Sequence, residues 1–173
     1  MQKAKLPLRL DPVKSASKRS NFEGIMLCAD MERLQQMVSG SAEHVDVQIS
    51  FETDVQGLNV FSGKLKTQVE LVCQRCYGNL TQDLNVDFTF SAVKEGDDLD
   101  ELPDVYEPVE VDDHGEIDLL QLIEDELILS LPIVALHDEQ DCNITEDEMS
   151  YGKIEPADER PNPFAVLKEL KRD

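Results

Sequence analysis

Two cysteines, Cys73 and Cys76, are the feature of this sequence whose residue type and spacing most directly indicate chemistry. A tight turn with Cys-x-x-Cys spacing can aim two thiolates at one ion, which is the geometry of a zinc knuckle. A tetrahedral zinc site needs two further ligands, and His137 and Cys142 follow a predicted helix further along the chain. The candidate zinc ligands are therefore Cys73, Cys76, His137 and Cys142.

The same thiols are open to two other interpretations, and the cofactor prediction is therefore zinc or none. A close pair of cysteines in a reducing compartment is a metal site, a redox site or a pair of free thiols. A thioredoxin-like redox motif needs a strand followed by a helix, whereas Cys73 and Cys76 fall between two predicted strands. Cys28 is predicted to be a small buried apolar residue.

Three predicted strands position the cysteine pair. Residues 44–51 alternate between polar and apolar types, and this period of two is typical of a half-buried strand. A second strand is predicted over residues 58–72 and a third over residues 80–92, so the pair lies in the turn between them. The apolar face of the second strand shifts by one residue beside Gly63, which predicts a β-bulge.

The predicted helix over residues 117–131 places His137 and Cys142 shortly after its end. Its apolar residues recur at helical spacing, residues 124–126 form an acidic exposed ridge, and Pro132 ends it. We expect this helix to cover the apolar face of the sheet. The predicted fold class is α+β, with an antiparallel β-sheet packed by a long amphipathic helix and a short C-terminal helix.

The chain is predicted to contain one domain with two polar or amphipathic extensions. Residues 1–137 form the α+β domain with its basic N-terminal segment, residues 138–160 an acidic flexible segment, and residues 161–173 a C-terminal amphipathic segment. No apolar run approaches the roughly 20 residues that span a bilayer, and no secretory signal is recognisable. We expect a cytoplasmic protein without membrane contact.

Charge is strongly segregated along the chain. The net charge is -21, yet residues 1–20 carry six basic residues and one acid, whereas residues 94–160 carry 24 acids and three basic residues. An acidic body repels a phosphate backbone and attracts basic proteins, although acidic runs also serve simple solvation. The candidate RNA contacts are the basic residues of the N-terminal segment and of the central hairpin: Lys3, Lys5, Arg9, Lys64, Lys66 and Arg75.

The sequence shows no catalytic set, and the protein is predicted not to be an enzyme. His44 and His114 have no nucleophile placed near them by the sequence. A glycine-rich phosphate loop and a nucleophile elbow are both missing from the sequence. Pairs of acidic residues are so numerous that no single pair indicates a catalytic site.

Six stretches, in order along nearly the whole chain, together resemble the YceD family of large ribosomal RNA subunit accumulation proteins. They are residues 5–8, 73–76, 106–111, 115–119, 124–132 and 161–167. The resemblance implies a role in the synthesis, processing or stability of 23S ribosomal RNA and implies no established catalytic activity. Cys73 and Cys76 match the family motif, while His137 and Cys142 fall where many relatives carry a second cysteine cluster.

The functional hypothesis is a non-enzymatic factor in large-subunit biogenesis that binds pre-ribosomal components. Its expected partner is the large-subunit ribosomal precursor, with 23S ribosomal RNA and basic ribosomal or assembly proteins. We expect contact mainly through basic proteins, because each RNA phosphate needs a cation. A zinc- or thiol-dependent regulatory module is one alternative, and a ribosome-associated nuclease with metal-binding carboxylates is another. The sequence leaves the oligomeric state open.

Overall fold

The computed structural model describes residues 4–99, 102–144, 148 and 152. The chain divides into two units, residues 1–143 and residues 144–173, and the α+β fold belongs to the first. Its strands are β1 (Arg9–Leu10), β2 (Asn21–Leu27), β3 (Gly40–Ser41), β4 (His44–Thr53), β5 (Asn59–Val72), β6 (Asn79–Val93), β7 (Glu107–Glu110) and β8 (Ile117–Asp118). Its α-helices are α1 (Pro12–Ser17), α2 (Glu32–Met37) and α3 (Leu119–Leu129), and a 3-10 turn (Cys28–Asp30) precedes α2.

The main sheet has six strands in the order β2-β4-β5-β6-β7, with β3 added beside β5. Neighbouring strands are antiparallel except at one edge, where β7 runs parallel to β6 with Phe90 opposite Glu107. The sheet is therefore mixed: the predicted antiparallel pairing is present in β4, β5 and β6, and the parallel strand β7 corrects the prediction of an antiparallel sheet. The physical reason is the connection after β6, because a parallel partner needs a crossover rather than a tight hairpin.

The hairpin of β5 and β6 is the longest feature of the sheet. Its register is continuous from Val60 opposite Ser91 to Val72 opposite Asn79, so the predicted bulge is wrong. Gly63 occupies an inward-facing position opposite Phe88, and a Cβ at Gly63 would collide with the Phe88 ring. The apolar pattern of β5 is thus interrupted at Gly63 because the Phe88 ring occupies the space that a side chain at this position would fill.

Helix α3 is shorter than the predicted helix over residues 117–131. Ile117 and Asp118 pair with Leu10 and Arg9 as strand β8, so the helix begins at Leu119 and has 11 residues. The Asp118 side chain accepts a hydrogen bond from the backbone N–H of Gln121 at 3.0 Å, which caps the helix. The long helix is therefore corrected to three turns.

The hydrophobic core lies between α3 and the sheet. Leu119, Ile123 and Leu127 of α3 are fully buried and belong to the same cluster as the inward residues of β4, β5 and β6. Phe51 and Phe61 stack there with ring centroids 5.1 Å apart. This packing agrees with the expected coverage of the sheet by the helix.

A buried carboxylate joins α3 to α2. Glu124 accepts backbone N–H hydrogen bonds from Arg33 at 2.7 Å and from Leu34 at 3.1 Å, and the Arg33 guanidinium lies 2.8 Å from it. Burial opposes its ionisation, but these bonds, led by that from Leu34, hold the pKa of Glu124 below its ordinary value. Glu124 was predicted to lie on an exposed ridge, and that prediction was wrong.

The N-terminal part of the unit contains a helix that the sequence analysis missed. Asp11 caps α1 by accepting a hydrogen bond from the backbone N–H of Lys14 at 2.8 Å. Pro12 occupies the first turn, where its missing N–H costs nothing.

The predicted acidic segment, residues 138–160, is described only in part, and the predicted C-terminal helix over residues 161–173 lies outside the described residues. Among the described residues, no helix has the length and apolar character to cross a membrane.

Candidate metal centre and acidic groove

The cysteine pair occupies the turn between β5 and β6, as the sequence predicts. The turn is closed by hydrogen bonds from the Cys73 N–H to the Gly78 carbonyl at 2.9 Å and from the Tyr77 N–H to the Cys73 carbonyl at 2.8 Å. Tyr77 adopts a positive φ of 58°, which sends the chain back toward β6. Cys73 is fully buried and Cys76 is half-buried, so both sulfurs face inward from the turn.

The chain after α3 runs beside this turn. The backbone N–H of Gln74 donates to the Ala135 carbonyl at 2.8 Å, and the Arg75 guanidinium donates to the His137 carbonyl at 3.2 Å. The Gln74 side chain donates to the Ile133 carbonyl at 3.5 Å. These contacts bring residues 133–142 to the hairpin tip and place His137 and Cys142 next to the cysteine pair.

All four predicted zinc ligands come together. One ligand atom from each of Cys73, Cys76, His137 and Cys142 lies within 4.8 Å of the others. Ligand atoms around a tetrahedral zinc, with bonds of about 2.3 Å to sulfur and about 2.0 Å to nitrogen, lie roughly 3.5–3.8 Å apart. The Cys76 Sγ is 3.3 Å from the His137 Nδ1, which is close to that separation, whereas the four atoms together, within 4.8 Å, are less tightly gathered than ligands around a bound ion.

The His137 ring is oriented by a backbone carbonyl. Its Nε2 lies 2.8 Å from the Asn79 carbonyl oxygen, which can only accept, so Nε2 carries a proton. In the neutral ring, Nδ1 then presents a lone pair toward Cys76. A metal-binding histidine is held in this way, with its second nitrogen donating to a carbonyl. The Asn79 carbonyl, and then the Cys76 sulfur, raise the pKa of His137.

The two turn thiols are surrounded by backbone donors. Burial opposes ionisation of Cys73, but N–H groups of Cys76, His137 and Arg75 outweigh it and lower the pKa of Cys73 to about 6. The N–H of Gly78 is the main cause of a lowered pKa at Cys76. The pKa of each thiol is thus shifted toward the thiolate form, which is the form that binds metals.

Cys28 lies apart from the cluster. It is buried in the core, as predicted, and its sulfur is 3.8 Å from the Thr67 hydroxyl. Burial raises the pKa of Cys28, in contrast to the cysteines of the turn.

The predicted RNA-contact residues do not form one cationic surface in the part of the chain that the structure describes. Arg9 pairs with Asp112 at 2.7 Å, on the β1 side of the molecule. Lys64 pairs with Asp87 at 2.9 Å across β5 and β6. Arg75 is engaged beside the cysteine pair, where it donates to the His137 carbonyl of the chain after α3.

Of the remaining candidates, Lys66 lies beside Lys64 in the lining of one pocket, together with Glu23 and Asp46. Lys66 lies opposite Asp46 in the register of β4 and β5. Lys5 pairs with Ile25 through an isolated bridge beside β2. Lys3 lies outside the described residues.

A surface that the sequence analysis missed is a groove of about 390 Å³ between β7, β8 and α3. We call it the acidic groove. Its charged lining residues are Arg9, Glu110, Asp112, Glu116, Asp118 and Asp125. Arg9 is already paired with Asp112 there. The N–H of Glu116, 2.9 Å from Asp112, is the main cause of a lowered pKa at that carboxyl, which keeps it charged.

Comparison with known proteins identifies the family. The family model described as "Large ribosomal RNA subunit accumulation protein YceD" matches residues 61–171, which is more than half of the chain. The chain belongs to the YceD family. The protein of Haemophilus influenzae with the same description is 43% identical over 173 residues, covering 99% of each chain. No solved structure matches the chain significantly.

Proposed function

We propose that this YceD-family chain is a non-enzymatic cytoplasmic factor that supports the accumulation of large-subunit ribosomal RNA. The description of the family and the name of the Haemophilus influenzae relative support the biological role. The mode of action we propose is binding to basic ribosomal or assembly proteins of the large-subunit precursor. The acidic groove is the observation that carries this part of the proposal.

The groove suits a cationic polypeptide because its carboxylates come from three separate elements and face one cleft. Glu110 belongs to β7, Glu116 lies in the turn that follows, and Asp125 belongs to α3. Apolar side chains of Val109, Val111 and Leu122 lie between the acids, and they offer contact to the aliphatic stems of lysine or arginine. Asp125 is paired with Arg33, as Asp112 is with Arg9, and both pairs reduce the charge that these acids present. The negative field, supplied mainly by Glu110 and Glu116, attracts basic partners and speeds their association.

Direct binding to bare RNA is less favoured by the same charges. Phosphate contacts require cations that are free to pair, but Arg9 and Lys64 already pair with acids of this chain. The acid-rich half would also repel a polynucleotide at long range. Arg9 and Lys64 therefore give RNA little support on their own.

The proposal is tested with the double variant Glu110→Gln and Glu116→Gln, measured for binding to protein extracted from large subunits and, separately, to protein-free 23S ribosomal RNA. The matched control, Glu43→Gln with Glu52→Gln, removes the same charge from exposed positions just before and within β4. We expect the groove variant to bind basic proteins about tenfold more weakly, or about 0.7 kcal/mol per lost charge, and the control to bind normally.

The same variants are then placed in a strain that lacks the gene, and 23S ribosomal RNA is measured against 16S. We expect the groove variant to restore 23S levels poorly and the control to restore them fully. Tight binding of the wild-type chain to protein-free 23S RNA at physiological salt, with no binding to the basic proteins, would contradict the proposal.

A further inference from the structure

We propose that Cys73, Cys76, His137 and Cys142 bind one zinc ion, and that this ion fastens residues 133–142 to the β5–β6 hairpin. The inference concerns the architecture of the protein and does not depend on the function proposed above. It assigns a structural metal site with all four ligands supplied by the chain.

The ligand set selects the metal. Three cysteines and one histidine give three thiolates and one imidazole, a combination that soft ligand chemistry assigns to zinc. Four protein ligands leave no open coordination position, so the site is of the structural rather than the catalytic kind.

The surroundings of the ligands are those of a metal site rather than of isolated thiols. The Cys73 sulfur lies 3.5 Å from the backbone N–H of His137, and backbone N–H groups of the turn also point to it. Such donors stabilise a sulfur that carries negative charge. The His137 ring donates from Nε2 to the Asn79 carbonyl and leaves Nδ1 directed at Cys76. The backbone thus holds the Cys73 sulfur and the His137 ring in place beside the other two ligands.

The fastening role follows from how little else holds the segment after α3. Ile133 is 97% exposed, Val134 is 54% exposed and Leu136 is 43% exposed, while Ala135 is the buried residue among them. A segment that buries one alanine gains little from the hydrophobic effect and still loses its backbone entropy on ordering. Its hydrogen bonds to Gln74 and Arg75 are few. A zinc ion that joins two ligands of this segment to two of the hairpin supplies the missing free energy.

The first experiment measures metal in the full-length chain purified under reducing conditions and without an affinity tag that binds metal. We expect one zinc per chain in the wild type and in the control Cys28→Ala, and less than a tenth of that in Cys73→Ser. Cys142→Ser provides a second test, since it alters the last ligand rather than the hairpin. Less than one-tenth equivalent of zinc in the folded wild type, after incubation with zinc, would overturn the proposal.

Replacement of zinc by cobalt(II) reports the ligands directly. We expect the visible bands of tetrahedral cobalt and a thiolate-to-cobalt charge-transfer band. In Cys142→Ser the charge-transfer band should lose about one third of its intensity, because one of three thiolates is gone. An octahedral spectrum, or a charge-transfer band that Cys142→Ser does not change, would contradict the assignment.

Hydrogen exchange tests the fastening. When a chelator removes the metal, the amides of Gln74 and His137, which donate to Ala135 and Cys73, should exchange at least tenfold faster. The amides of Leu65 and Val69, in the centre of β5, should be unchanged. Equal protection of Gln74 and His137 with and without zinc would show that the ion does not fasten the segment.

Discussion

Replacement of Glu124 by alanine should destabilise the protein more than replacement of its neighbour Asp125, although both acids contact the same arginine. Glu124 is 7% exposed and accepts two backbone N–H groups of α2, from Arg33 and Leu34. Asp125 has a side chain that is 44% exposed, and it pairs with the Arg33 guanidinium.

The magnitude follows from the groups left without a partner. Each backbone donor that loses its acceptor costs about 1–1.5 kcal/mol when it cannot reach water. The Arg33 side chain is 48% exposed and can be solvated again, so the ion pair adds less than about 1 kcal/mol. The free energy of unfolding should therefore fall by about 3 kcal/mol in Glu124→Ala, by about 1–2 kcal/mol in Glu124→Gln, and by less than about 1 kcal/mol in Asp125→Ala.

The assay is equilibrium urea unfolding at a fixed zinc concentration, monitored by circular dichroism. Free energies of unfolding are compared between variants for which the free energy falls with urea concentration at the same slope. The stabilisation by Glu124 also depends on pH, and the direction of this dependence follows from its pKa. The folded pKa of Glu124 lies below its ordinary value of 4.5, so its stabilisation is complete above pH 4.5 and is lost as the pH falls through the folded pKa. The difference between wild type and Glu124→Gln should therefore shrink in acid. Equal losses in the two alanine variants, or a difference that does not change with pH, would refute this reasoning.

Two other predictions concern packing. Leu127→Ala, at a fully buried site of α3, should lower the free energy of unfolding by about 2–5 kcal/mol, whereas Leu129→Ala, at a 77% exposed site of the same helix, should change it by less than about 0.5 kcal/mol in urea unfolding. Gly63→Ala should cost about 1–3 kcal/mol because the new Cβ meets both the Phe88 ring and the Gln48 carbonyl oxygen. Phe88→Leu in the same chain should recover only the part of that loss that the ring causes; no recovery would mean that the ring is not an obstacle.

Much of the sheet could be predicted because its information is local. The alternation along β4, β5 and β6 follows directly from the opposite orientation of successive side chains in a strand. The turn between β5 and β6 then fixed the place of the cysteine pair. The approach of His137 and Cys142 could be anticipated because both follow the end of a helix that had to pack on the same sheet.

The features that could not be predicted depend on contacts distant in sequence. The parallel pairing of β7 is decided by a crossover and leaves no trace in the pattern of Glu107–Glu110. Ile117 continues the apolar spacing of α3, yet it forms β8 because Leu10 lies beside it. Glu124 looks like any exposed acid until Arg33 and Leu34 direct their N–H groups at it.

The acidic groove was missed for a related reason. Its carboxylates are spread over β7, a turn, β8 and α3, and none of these stretches is unusual in a chain with 37 acidic residues. Only the folding of Glu110, Glu116 and Asp125 around one cleft distinguishes them from the other acids.

The pairing of β1 with β8 bears on the order in which the molecule can assemble during translation. Arg9 leaves the ribosome early, but its partner Asp118 is made 109 residues later. At about 5–20 residues per second, β1 waits on the order of 5–20 s before it can pair. The hairpins of β4, β5 and β6 can form within that interval. Strand β1 is therefore synthesised before the other strands but is among the last to pair.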